Sequence, residues 1–206
     1  MSFRSFALLT ALLSASTSTQ ADDFVPLFKG DGLGDFELVK VAPETLSYKD
    51  GEIRMTGTSN GYFATKQSYK SYTMKFDFMY ERPEGLTDDS KFPGNSGFLF
   101  NIETPHAVWP KCIEFQLMNR EVGKIYPMKG AKFDGTWDEA AYKKAIKPVG
   151  QWNTMEVTSK DGTVACSLNG TQVATGKSPV PDHGPFGWQS EGAPMRFKNL
   201  LVKTLD

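Results

Sequence analysis

Apolar and polar residues alternate along most of this 206-residue chain. Tyr72, Met74, Phe76, Phe78 and Tyr80 interleave with Thr73, Lys75, Asp77 and Met79, a period of two that predicts a half-buried strand. Phe98, Phe100 and Ile102 alternate with Leu99, Asn101 and Glu103, and Ile113, Phe115 and Leu117 with Cys112, Glu114 and Gln116. Further strands are expected at 36–41, 52–56, 62–65, 124–128, 154–159, 164–168, 172–175 and 195–202. Lys49-Asp50-Gly51, Ser59-Asn60-Gly61, Lys160-Asp161-Gly162 and Asn169-Gly170 supply the turn chemistry between them. Only 137–145 (WDEAAYKKA) has helical character, in a piece too short to stand alone and expected to decorate a loop. Many short strands with Gly-rich turns predict an all-β fold, an antiparallel β-sandwich or barrel. The polar, Pro/Gly-rich stretch 81–95 is expected to be a mobile loop at a site. No composition shift marks an internal linker, so 22–206 is expected to be a single domain.

The first residues carry a different pattern. Arg4 is followed by the apolar run Phe6-Ala7-Leu8-Leu9-Thr10-Ala11-Leu12-Leu13, and small residues lead to Thr19-Gln20-Ala21. This predicts a secretory signal peptide over 1–21 and a periplasmic or extracellular protein. The run is too short to anchor in a bilayer. Export makes a disulfide between Cys112 and Cys166 worth testing. Strand parity argues against it, since Cys112 shares a face with Glu114 and Gln116 while Cys166 shares one with Val164 and Leu168.

Composition narrows the function. The formal net charge is −1, so nothing draws a polyanion in bulk and nucleic acid is not expected as a partner. The aromatic share is 13%, which favours β-structure and sugar-stacking surfaces. No Walker loop, dinucleotide fingerprint, HExxH or GxSxG is present. His106 and His183 are the only histidines, which excludes a histidine-rich metal site and leaves room for a divalent cation held by oxygen ligands.

Candidate chemistry gathers between Asn95 and Glu121. If the strands at 98–102 and 113–117 pair, Asn101, Glu103, Glu114 and Gln116 share one surface. That surface is either the groove of a curved sandwich, suited to a carbohydrate, or simply the solvated face of an antiparallel sheet. Trp109, beside Pro110, is either a stacking platform for a sugar or a cap on the core edge. His106 is either polar surface or a ligand and proton carrier. Near the C-terminus, Gln189 shares parity with Gly187 and Glu191, opposite Phe186 and Trp188. Gly187 would permit close ligand approach, and Glu191 is either catalytic or holds a loop.

Val108-Trp109-Pro110-Lys111-Cys112-Ile113-Glu114-Phe115-Gln116-Leu117-Met118 resembles the VWPxxIExQL signature of the 3-keto-disaccharide hydrolase domain family. Pro26-Leu27-Phe28-Lys29-Gly30-Asp31-Gly32-Leu33, Gly61-Tyr62-Phe63-Ala64-Thr65, Asn95-Ser96-Gly97-Phe98-Leu99-Phe100, Trp152-Asn153-Thr154-Met155-Glu156-Val157 and Gln189-Ser190-Glu191-Gly192 match its other landmarks in order. The resemblance implies a concanavalin A-like/laminarinase-like jelly roll acting on a glycoside or oligosaccharide already oxidised at C3. It implies removal of the C2 proton, β-elimination of the C1 substituent and hydration of the product. By position it implies catalytic Glu114, as base or cation ligand, and catalytic Glu191. Asn101, Glu103, His106, Trp109, Gln116, Lys124 and Gln189 would bind substrate. The family often has Arg where this chain has Asn101, and Gly-Asp where it has Gly123-Lys124, which alters the groove's charge. Two alternatives use the same scaffold. A non-catalytic carbohydrate-binding module needs only the groove and Trp109. A retaining β-glucanase needs two carboxylates about 5 Å apart, and the run Glu114 to Glu121 lacks that spacing, with Gln116 in place of the middle acid.

Overall fold

The computed structural model describes residues 23–27, 33–104 and 106–206. The leader read over 1–21 lies outside the described residues, as do 28–32. In chain order the strands begin β1 (Val25–Pro26), β2 (Phe36–Val39), β3 (Leu46–Lys49), β4 (Glu52–Met55), β5 (Gly61–Thr65), β6 (Tyr72–Tyr80), β7 (Gly97–Phe100) and β8 (Cys112–Gln116). They continue with β9 (Ile125–Met128), β10 (Lys132–Trp137), the helix α1 (Glu139–Ala145), β11 (Asn153–Lys160), β12 (Thr163–Leu168), β13 (Thr171–Val180), β14 (Gly187–Ser190) and β15 (Met195–Thr204).

Two antiparallel sheets face each other in a jelly-roll sandwich. One runs β10-β13-β12-β11-β6-β15-β4-β3, with β1 on β15, and the other β2-β5-β14-β7-β8-β9. Alternation sets which side chains fill the space between them. Tyr72, Met74, Phe76, Phe78 and Tyr80 of β6 point inward. They meet Phe63, Phe98, Phe100, Ile113, Phe115 and Trp188 of the shorter sheet. Trp188 is fully buried, stacked on Phe63 with ring centroids 5.1 Å apart and edge-on to Phe36 and Phe76. Burying these rings is the main stabilising term, since each removes a large apolar area from water.

The turns behave as their residues require. Asp161-Gly162 and Asn169-Gly170 take positive φ at both positions, the geometry of tight hairpins. The Asn169 side chain also accepts from Thr154 N–H and donates to Ala145 C=O and Asn153 Oδ1. The helix begins at Glu139 because Asp138 caps it, accepting from Ala141 N–H, while Trp137 closes β10 and donates its indole N–H to Val122 C=O. The sequence reading assigns no strand to the two-residue β1 or to β14, and it misses β10 and β3, whose partly exposed, polar residues carry little hydrophobic period. It also stops β13 five residues short.

The loop at 81–95 is pinned rather than loose. Arg82 pairs with Asp89 at 2.8 Å and donates to the carbonyls of Val149 and Leu86, and Phe92 is buried against Tyr80. Both cysteines are free and buried, Cys112 on the outer face of the shorter sheet and Cys166 in the main core.

Candidate active site

The outer face of the shorter sheet holds the site. With Phe98, Phe115 and Trp188 committed to the core, the opposite parity sends Glu114 and Gln116 of β8, Gln189 of β14 and Tyr126 of β9 to this face. An open hollow of about 320 Å³ forms there, lined by Asn95, Trp109, Glu114, Gln116, Tyr126, Pro127, Met128, Gln189 and Glu191. Its size is at the lower end of small-ligand pockets, roughly 300–1,000 Å³. Five of the nine expected residues are therefore together: Trp109, Glu114, Gln116, Gln189 and Glu191.

The other four are elsewhere, for local reasons. Strand β7 ends at Phe100, and Asn101 turns into the left-handed region at φ 55, buried, with its amide donating to Pro181 C=O at 2.9 Å. Glu103 is exposed and paired with Lys111 at 3.1 Å. His106 pairs with Glu37 at 3.3 Å and packs edge-on to Tyr62, on the far half of the sheet. Lys124 pairs with Glu121 at 3.1 Å and lies over the rings of Tyr126 and Trp137, behind the lining. Gly187 does not leave space for a ligand: Ile102 and Tyr62 occupy the place of its missing side chain.

Gly97 is the glycine the site requires. A Cβ there would lie 2.1 Å from Glu114 Oε1 and 2.5 Å from Gln189 Oε1, so its bare backbone makes the space in which these two groups face each other. Glu114 is 7% exposed and Gln189 1%. Gln189 Oε1 is buried with no protein partner, as is Asn95 Oδ1. Gln116 is oriented by its own backbone, its Oε1 accepting from Met118 N–H at 2.8 Å. Asn95 pairs with Glu191 as an isolated bridge, and its side chain hydrogen-bonds the Glu191 carboxylate.

The electrostatics follow from this crowding. Burial, and next the charge of Glu191, push the Glu114 carboxyl up to about 8. Glu191 is also raised, by burial, with the Asn95 hydrogen bond pulling the other way. The pair thus gives up its first proton from Glu191 and holds the second on Glu114 through neutral pH. Tyr80 reaches towards this place from the other sheet, its phenol held well above its usual value by burial and then by Glu191 and Glu114. Glu121, the other carboxylate nearby in sequence, accepts from Tyr126 Oη at 2.6 Å and serves the wall rather than the hollow. The oxygen-bearing side chains of the lining include the carboxyls of Glu114 and Glu191 and the amides of Asn95, Gln116 and Gln189. Among the described residues no three His, Cys, Asp or Glu gather, so a cation here would have two charged ligands.

The characteristic sequence pattern of the 3-keto-alpha-glucoside-1,2-lyase-like domain matches residues 23–203. The chain belongs to that family. Solved structures with a similar fold are remote from it in sequence. A "putative glycosyl hydrolase" from Parabacteroides distasonis is 22% identical, with 94% of this chain and 99% of that one covered and a TM-score of 0.67. A Bacillus subtilis protein with a galectin-like fold is 12% identical over 88% of this chain and 94% of its own, with a TM-score of 0.64. The carbohydrate binding module CBM66 from Bacillus subtilis is 13% identical over 82% of this chain and 96% of its own, with a TM-score of 0.55. These likenesses establish the jelly-roll sandwich. No curated protein matches the chain. The family is carbohydrate-related, and the hollow lies on the segments that carry its signature, Asn95–Gly97, Trp109–Gln116 and Gln189–Glu191.

The sequence reading omits Asn95, Tyr126, Pro127 and Met128 from the site. Tyr126 and Met128 could have been found, because they share the outward parity of an edge strand paired with β8, opposite Glu114 and Cys112. Tyr80 had no such signal, since its alternation assigns it only to the core.

Proposed function

We propose that this protein cleaves 3-keto-glycosides, using Glu114 and Glu191 as one acid–base pair. The observation that carries the reading is the second carboxylate beside a nearly buried first one in a single sugar-sized hollow, with Trp109 and Tyr126 in its walls. Two such groups with unequal environments divide the roles. Glu191, ionised first, takes the proton from C2, which the C3 ketone has acidified. Glu114, protonated at neutral pH, gives its proton to the departing C1 oxygen as the C1–O bond breaks. The assignment makes Glu114 the acid, where position in the family signature suggests the base. Amide groups of Gln116 and Gln189 contact the enolate and ring hydroxyls. Hydration runs the pair backwards: Glu114 takes a proton from the water that adds at C1, and Glu191 returns its proton to C2. Both groups then regain their starting states. Export along the leader pattern over 1–21 would bring such an enzyme to glycosides outside the cytoplasm.

The test uses a panel of 3-oxidised glucosides in D₂O. Both Glu114→Gln and Glu191→Gln lose at least about 10²-fold in turnover while retaining the parent's circular dichroism. Glu114→Gln still exchanges the C2 hydrogen for deuterium, and Glu191→Gln does not. A parent protein that binds these glycosides without cleaving them is a binding module, and the enzyme reading fails.

A further inference from the structure

The charge on the walls of the hollow is one-sided. Glu114 and Glu191 are acidic, and no Lys, Arg or His lines it among the described residues. Three basic groups of the adjoining segments are turned to acids outside it: Lys111 to Glu103, Lys124 to Glu121 and His106 to Glu37. Two of its lining residues also carry amide oxygens without donors. Gln189 Oε1 and Asn95 Oδ1 are buried and unpartnered, and Gln189 is almost wholly enclosed. Aromatic faces stand nearby in Trp109 and Tyr126. A group with several N–H donors and a positive charge suits such a wall: it brings donors to an acceptor-rich lining, pairs with the ionised Glu191, and is attracted to a ring face. A carboxylate, phosphate or sulfate on the sugar meets acceptors and like charge, with no cation to offset them.

We infer that the site selects glycosides by charge, taking amine-bearing sugars in preference to neutral ones and rejecting anionic ones. This rests on the proposal that the hollow binds a glycoside, but not on the reaction. It is therefore tested by binding alone, with unreactive probes. Isothermal titration of the protein, in chelator and at mildly acid pH, compares methyl glucoside, methyl glucosaminide, its N-acetyl derivative and methyl glucuronide. The glucosaminide is expected to bind at least tenfold tighter than the glucoside, about 1.4 kcal/mol. The N-acetyl derivative, alike in position but uncharged, shows no such gain, and the glucuronide binds at least tenfold more weakly than the glucoside. In Glu191→Gln the ratio of glucosaminide to glucoside affinity falls to about one, whatever the two absolute affinities become. Equal affinities across the set, a glucuronide as tight as the glucoside, or an amine preference unchanged in Glu191→Gln overturns the inference and leaves the cleavage test standing. Binding of none of the four overturns it too, and cleavage of 3-oxidised glucosides then decides separately whether the hollow takes sugars at all.

Discussion

Gly97→Ala separates the position of Glu114 from the stability of the fold. Gly97 does not occupy the left-handed region, so alanine meets no backbone strain there. The new methyl collides instead with side-chain ends, Glu114 Oε1 at 2.1 Å and Gln189 Oε1 at 2.5 Å. Ordinary contact is about 3.5 Å, so the carboxyl oxygen must retreat by about 1.4 Å. Glu114, in the wall of the hollow, can rotate away, and the nearly enclosed Gln189 need move only the end of its side chain, which keeps the overpacking cost in the lower part of about 1–3 kcal/mol. The loss of unfolded-state freedom at glycine offsets about 0.4–1 kcal/mol of it. Stability should stay within about 1 kcal/mol of the parent, a shift of roughly 2–4 °C in Tm. Catalysis has no such tolerance, since a displacement of about 1 Å costs on the order of 10²-fold. Urea unfolding and turnover of a 3-oxidised glucoside, measured on the same preparation, check both halves. A Gly97→Ala variant that is folded and fully active would refute the claim that Glu114 works from this position. A variant destabilised by several kcal/mol would refute the claim that its neighbours can give way.

Two further outcomes follow from burial. The Glu114 carboxyl is raised from 4.5 to about 8 in the folded chain, so between those values the folded protein keeps a proton that the unfolded chain has released. Stability is therefore full below about pH 4.5 and declines as pH rises to about 8. Glu114→Gln escapes this, and its stability advantage over the parent in urea melts should grow from near zero at acid pH to a plateau above about pH 8, whereas a pH-independent difference contradicts a buried, raised carboxyl. In the core, Trp188→Ala removes the ring that stacks on Phe63 and should cost about 3–5 kcal/mol by chemical unfolding, while Trp188→Phe costs far less, because the indole N–H has no partner to lose; equal losses would show that the N–H is bonded after all.

Alternation along the chain carries most of the architecture. One face of each strand must be apolar to bury, so 72–80 and 113–117 declare their inner and outer sides without any tertiary knowledge. The same parity places Glu114 with Gln116, and Gln189 with Glu191, on one face. It also separates Cys112 from Cys166. What parity cannot supply is where a strand stops. Asn101 and Glu103 have the outward parity of Leu99, yet the chain leaves the sheet after Phe100 and carries them away from the groove. Nor does it say which strands are neighbours. Bringing β14, late in the chain, against β7 is a choice of topology, and it places Gln189 opposite Glu114 across Gly97 and brings Glu191 into the same hollow.

The raised carboxyl, the orphaned amide oxygens and the missing counter-cations are of the second kind. Each depends on distances among residues far apart in sequence and on how much water they retain. Lys124 shows this in one residue: from the sequence it adds positive charge to the groove, and in the fold Glu121 and two aromatic rings hold it behind the wall. The chain's own periodicity determined an all-β architecture and the faces of its strands, because burial is a local demand on each side chain. Strand order and the ends of strands decided the chemistry, because the field at a carboxyl is set by neighbours that only the folded chain assembles.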